Sequence, residues 1–176
     1  MAYRGTTILG IKKDGKTIII GDGQVTQDHQ IAKATAKKLR RLYNDKVICG
    51  FAGSPVDGLA LVDKLDKMLH KYSGNLMRAA VEVVSAWRTD SGFRNLETSV
   101  IIASKDQMYI INGNGDVLEP DDGICSIGSG SVYALAAAKA LKENTTLDVE
   151  EIAKKSMKIT SDICIYTNGN FTMEVI

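Results

Sequence analysis

Short β-branched runs closed by tight turns recur along this chain, and pairs of longer segments with helical periodicity interrupt them twice. That order constrains the fold more than any other feature of the sequence. Alternating and continuous apolar patterns predict strands over residues 7–12 and 17–20, joined by the turn Lys13-Asp14-Gly15-Lys16 and ended by Gly21-Asp22-Gly23. A further β-rich run covers residues 46–52. Ser54-Pro55-Val56-Asp57 then reads as a helix start, with Ser54 as N-cap, Pro55 in the first helical position and an acid in the first turn. Val56, Leu59, Val62, Leu65 and Leu69 continue one apolar stripe to Tyr72, and Ser73-Gly74-Asn75 breaks it. A second helix carries Leu76, Ala80, Val83, Val84 and Trp87.

Strands then return. Residues 99–103 form a buried-type run, 108–111 pair with 117–118 across a Gly- and Asn-rich turn, and 124–127 end in Gly128-Ser129-Gly130-Ser131. An Ala-rich helix is expected over 132–141, and the capping box Asp148–Glu151 opens another that runs to about residue 159. A closing hairpin is expected from residues 164–167 and 171–175 around Asn168-Gly169-Asn170. Consecutive hairpins favour antiparallel sheets over βαβ crossovers. Two sheets face to face with a helix pair on each outer side would cover every apolar face, which makes the expected α+β fold a four-layer α/β/β/α sandwich.

The length of 176 residues suits one domain with a full core. A net charge of +1 gives no global attraction to nucleic acid or an anionic membrane. No apolar run reaches the length of a membrane span and the first residues lack a secretory core, so the expected location is cytoplasmic. Cys49, Cys125 and Cys164 stand apart inside apolar segments, a pattern of buried thiols rather than of disulfides or zinc.

Several catalytic signatures are missing. There is no HExxH and no GxSxG. Gly128-Ser129-Gly130 hints at a dinucleotide turn, but Tyr133 stands where a third small residue belongs. The only histidines are His29, in a polar loop, and His70, late in a charged helix. What remains is Thr6, placed after Gly5 at the head of the first strand. A threonine hydroxyl needs an adjacent base to act as a nucleophile. Cleavage of the Gly5–Thr6 bond would free an α-amine with a reference pKa of about 7.7–8.0, close to working pH. Lys38 can lower that value further, Asp22 can hold Lys38, and Gly53 can offer a backbone N–H to an oxyanion. Each also has an ordinary reading: Asp22 as a turn residue, Lys38 as part of a solvated basic stretch, Gly53 as a loop glycine.

Taken together, Gly5-Thr6-Thr7-Ile8, Gly21-Asp22-Gly23-Gln24, Lys37-Lys38-Leu39-Arg40-Arg41-Leu42-Tyr43 and Gly50-Phe51-Ala52-Gly53 resemble the HslV (ClpQ) family of proteasome-like peptidase subunits. The likeness continues through Ala86-Trp87-Arg88-Thr89-Asp90, Gly113-Asn114-Gly115-Asp116-Val117, Ile127-Gly128-Ser129-Gly130 and 162–168, and so spans nearly everything from Thr6 to the C-terminus. The resemblance implies the N-terminal nucleophile hydrolase sandwich and threonine endopeptidase activity on unfolded proteins. It implies Thr6 as nucleophile, Asp22 and Lys38 as its tuning pair, Gly53 as oxyanion donor and Ser129 as a hydrogen-bonding partner near the Thr6 amine. It further implies a sodium ion held by backbone carbonyls of Ser161, Cys164 and Thr167, with Ser161 replacing the usual glycine. No ATP site is expected in this chain, and the implied partner is the HslU (ClpY) AAA+ ATPase ring, which feeds and activates two stacked hexameric rings of this subunit. Residues 1–5 would then be a short propeptide and 6–176 a single peptidase domain. An N-terminal nucleophile amidase acting on a small substrate and a catalytically silent scaffold subunit are the alternatives.

Overall fold

The computed structural model of the protein describes residues 3–89 and 98–176. The first half runs β1 (Tyr3–Arg4), β2 (Thr7–Lys13), β3 (Lys16–Asp22), β4 (Val25–Gln27), β5 (Gln30–Lys33), β6 (Leu39–Leu42), β7 (Val47–Gly53), α1 (Pro55–Lys71) and α2 (Leu76–Thr89). The second half runs β8 (Thr98–Ala103), β9 (Met108–Ile111), β10 (Val117–Leu118), β11 (Ile124–Gly128), α3 (Ser131–Asn144), α4 (Val149–Ile163) and β12 (Phe171–Val175). The Asp90 end of one family-like stretch lies outside the described residues.

Two antiparallel sheets form the middle of the molecule, one ordered β10-β9-β8-β7-β6 and the other β11-β2-β3-β12. Their strands are apolar on both faces, because each face is covered. Ile8, Ile19, Ile48, Ala52, Ile101 and Ile127 meet between the sheets. Alternate residues of the same strands point outward: Cys49, Phe51, Val100 and Ile102 pack under α1 and α2, while Leu9, Ile11, Ile18 and Ile20 pack under α3 and α4. The period-2 side-chain alternation thus builds three apolar layers from two sheets, and the four-layer sandwich expected from the element order is the observed fold.

Local signals account for most element ends. Asp14 and Gly15 turn the β2–β3 hairpin with φ of 52° and 76°, the left-handed pair that a two-residue hairpin loop requires. Ser54 caps α1 by accepting from the Asp57 N–H, and Asp148 caps α4 by accepting from the Glu151 N–H. Two expectations are corrected. The buried face of α1 consists of Gly58, Leu61, Val62, Leu65 and Leu69, whereas Val56 and Leu59 are exposed. Residues 164–167 do not form a strand: α4 continues to Ile163, Cys164 caps it, and the Thr167 N–H donates to the Cys164 carbonyl in a turn. β12 pairs with β3 instead, Phe171 opposite Asp22.

A third, small sheet, ordered β1-β4-β5, lies at the N-terminal end. Here β1 runs antiparallel to β4, with Tyr3 opposite Gln27 and Arg4 opposite Thr26. The segment preceding Thr6 is therefore laid down as an edge strand.

Candidate active site

Thr6 sits between β1 and β2, 5% exposed, with its hydroxyl donating to the carbonyl of Gly5. The same Gly5 carbonyl accepts from Lys38 Nζ at 3.3 Å. Lys38 approaches from the start of β6, on the neighbouring sheet, and its ammonium also reaches Asp22 Oδ1 at 3.3 Å and the Gln24 carbonyl. Asp22, at the end of β3, is fully buried. Its carboxylate accepts the N–H groups of Thr7 at 2.7 Å, Gln24 at 2.9 Å and Asn168 at 3.3 Å. A carboxylate held by three backbone donors and an ammonium is fixed in place. Burial lowers the Lys38 pKa below its ordinary value, and the neighbouring Asp22 charge and hydrogen bond oppose that shift. Lys38 is therefore a buried lysine held against one carboxylate, not the solvated surface lysine of the alternative reading.

The Thr6 carbonyl is held from the other side, where it accepts the Ser129 N–H at 2.8 Å. That bond comes from the backbone at the end of β11; the Ser129 side chain is exposed. Gly128 adopts a φ of +93°, and a Cβ there would lie 2.0 Å from the Thr6 carbonyl oxygen. The chain passes too close to Thr6 for any side chain at this position. Gly53, at the end of β7, lines a cleft of about 290 Å³ together with Gly5, Thr6 and Lys38. Thr6, Asp22, Lys38, Gly53 and Ser129, scattered over the sequence, thus converge on one end of the two sheets.

Sequence reasoning missed a supporting set. Thr7 Oγ1 accepts the Gly130 N–H at 2.9 Å and pairs with Thr167 Oγ1 at 2.7 Å, tying β2 to the head of α3 and to the turn after α4. Asn168 Oδ1 accepts the Gly23 N–H, and its Nδ2 donates to the Ala34 carbonyl. The available signal was the second threonine of the Thr6-Thr7 pair: one hydroxyl faces the cleft and the other braces the strand behind it.

Ser161, Cys164 and Thr167 lie together where α4 ends. A helix C-terminus leaves carbonyls without intrahelical partners and carries partial negative charge. The last turn of α4 contains no basic residue to offset it. Backbone carbonyls at such a place have the donor chemistry of a hard-cation site. Among the described residues no His, Cys, Asp and Glu cluster has the composition of a side-chain metal site.

A model of the proteasome subunit family matches residues 2–176. Over 176 residues the chain is 53% identical to the ATP-dependent protease subunit HslV of Petrotoga mobilis, covering 100% of this chain and 99% of that one. The HslV subunit of Aquifex aeolicus is 49% identical over 176 residues and covered in full on both sides. The crystal structure of eukaryotic HslV from Trypanosoma brucei superposes with a TM-score of 0.91 at 43% identity, over 96% of this chain and 98% of that one. The four-layer sandwich is that of the proteasome subunits and N-terminal nucleophile hydrolases, and the chain belongs to that family. Within it the chain is an HslV, the threonine peptidase subunit of the ATP-dependent HslUV protease. This membership sets aside the small-substrate amidase and the silent scaffold.

Proposed function

We propose that Thr6 is the nucleophile of this peptidase and that the chain becomes active by losing residues 1–5. The observation that carries the reading is the geometry at one carbonyl: Gly5 accepts from the Thr6 hydroxyl on one side and from Lys38 Nζ on the other. The nucleophile stands beside the bond it has to break, and a cation polarises that bond. Attack by Thr6 Oγ on the Gly5 carbonyl carbon transfers the leader to the hydroxyl as an ester and releases the Thr6 nitrogen. Water then hydrolyses the ester and leaves a free α-amine.

In the processed chain that amine takes the Oγ proton while Oγ attacks a substrate carbonyl. The Gly53 N–H, at the rim of the same cleft, is the donor for the tetrahedral oxyanion; one such donor is typically worth about 3 kcal/mol of barrier. The amine then protonates the departing amino group, and water attacks the acyl-Thr6 ester by the same route. The Lys38 charge keeps the amine neutral near pH 7, Asp22 positions Lys38, and the Ser129 N–H fixes the Thr6 carbonyl. Backbone carbonyls of Ser161, Cys164 and Thr167 would hold a sodium ion. Bound there, the ion would supply positive charge at the end of α4 and stiffen the turn whose Thr167 hydroxyl braces Thr7.

The chain forms two stacked hexameric rings and works with the HslU ATPase ring, which delivers unfolded proteins. Membership of HslV supports both statements. Self-association is supported further by exposed apolar residues at the start of α3 and just past the end of α4, Val132 at 73% and Ile165 at 79% exposure. The deciding experiment is Thr6→Ala, assayed with the ATPase ring on a fluorogenic peptide. Activity falls by more than about 10³-fold while ring assembly, read by native mass, is kept. Turnover at the unmodified rate would assign the chemistry to another residue.

A further inference from the structure

We propose that the cleft beside Thr6 sorts peptides by charge, accepting apolar and acidic side chains just before the scissile bond and rejecting basic ones. The inference rests on Thr6 being the nucleophile and adds a substrate class to that site.

The leader marks the track on which the acyl side of a substrate lies. β1 runs antiparallel to β4, and Gly5 at its end lines the cleft. Gly5 has a φ of +106°, and a Cβ there would fall 2.9 Å from Thr26 Oγ1. A residue with a side chain cannot copy that conformation, so it turns away from β4, and the open space it meets is the cleft. The walls of that space are apolar, formed by Val25, Ala36, Phe51 and Leu59. Its charged lining is of one sign: Lys33 from β5, Lys37 from the following loop and Arg40 from β6 all border it, with no Asp or Glu beside them.

None of these three cations is neutralised within the described residues. Lys38 is the cation committed to Asp22, whereas Lys33 and Lys37 are exposed and have no acidic partner. Arg40 donates through one guanidinium nitrogen to the carbonyls of Lys37 and Leu39 at 3.1 and 2.7 Å, which orients the group without cancelling its charge. A cleft with low-dielectric walls and charge of a single sign concentrates ligands of the opposite sign. An aliphatic stem with a carboxylate at its tip meets both features. A lysine or arginine side chain brings a like charge to three fixed ones.

The test uses the processed full-length chain with its ATPase ring and four fluorogenic peptides that differ only in the residue before the reporter: Leu, Gln, Glu or Lys. The expected result is a kcat/KM for Glu at least about tenfold above that for Lys at low salt, equivalent to roughly 1.4 kcal/mol. The ratio should narrow towards unity as salt shortens the screening length. Lys33→Gln combined with Lys37→Gln, both at exposed positions, should lower the Glu:Lys ratio severalfold, and Arg40→Gln should lower it further. Hydrolysis of Lys as fast as Glu, or a ratio unchanged in the variants, would overturn the proposal and leave the Thr6 assignment standing. Failure to hydrolyse any of the four, Leu included, would overturn both.

Discussion

Lys37 and Lys38 are chain neighbours in opposite environments. Lys38 is 4% exposed and its ammonium bridges Asp22, the Gln24 carbonyl and Gly5, whereas Lys37 faces solvent at the cleft rim. Removing Lys38 leaves the Asp22 carboxylate buried without its counter-charge and takes a positive charge from beside the Thr6 amine. Lys38→Ala should therefore lower kcat/KM on a neutral apolar peptide by about 10² or more, against less than about threefold for Lys37→Ala. The sign of the pH effect follows from the same charge: without the cation the amine holds its proton more tightly, so the acid limb of the pH–rate profile should move to higher pH in Lys38→Ala. Equal losses in the two variants would contradict the assigned roles. Gly128 gives a second test at this scale. An alanine there would need a strained positive φ and would press its Cβ onto the Thr6 carbonyl. Gly128→Ala should cost about 1–3 kcal/mol of stability and block leader removal, measurable by thermal unfolding and intact mass.

Among the elements, the strands carry the clearest information. Ile18-Ile19-Ile20 and the run 100–102 read as buried because they are buried on both faces, and two-sided burial calls for a second sheet and two helix layers. The helix starts at Ser54 and Asp148 were legible because capping is local chemistry. Residues 164–167 were misread because Cys-Ile-Tyr-Thr has the β-branched and aromatic composition of a strand, although here it only carries the chain off a helix end. β6 was hidden in a basic stretch: Leu39 points between the sheets and Leu42 under α1 and α2, while the arginines between them occupy the edge. The meeting of Asp22 with Lys38 was suggested by their chemistry and by the family resemblance, but spacing alone could not show it, since it depends on how one sheet lies on the other. The two cores also hold natural reporters. Cys49 lies under α1 and α2 and Cys125 lies between the sheets, and burial pushes both thiols up to about 12. In the unfolded chain they ionise near pH 8.5. Between those values the unfolded state has lost protons that the native state keeps, so stability should fall as pH rises above about 8.5. At pH 8 neither thiol should react with iodoacetamide until its layer opens, and peptide mapping of a denaturant series reports which layer opens first. Rapid labelling of both in native protein would contradict the burial.

At the scale of the whole molecule, the proposed leader separates a folded, assembled chain from an active one. It pairs with β4 through β1 and ends in a glycine conformation that no other residue copies without strain, with its last carbonyl between Thr6 and Lys38. While the Gly5–Thr6 bond stands, the Thr6 nitrogen is an amide without useful basicity, and on the proposed mechanism the leader would lie on the track that substrate needs. Gly5→Pro separates these effects. Proline fixes φ near −65°, far from the +106° found at Gly5, so the scissile carbonyl should leave the position shared with the Thr6 hydroxyl and Lys38. The two core sheets and the four helices, which hold the buried layers, do not include Gly5. The variant should therefore fold and assemble, retain residues 1–5 by intact mass, and hydrolyse fluorogenic peptide at background rate with the ATPase ring present, whereas active unmodified preparations begin at Thr6. A sample that retains residues 1–5 and still turns over peptide at the normal rate would refute the amine as base and require another proton acceptor for Thr6.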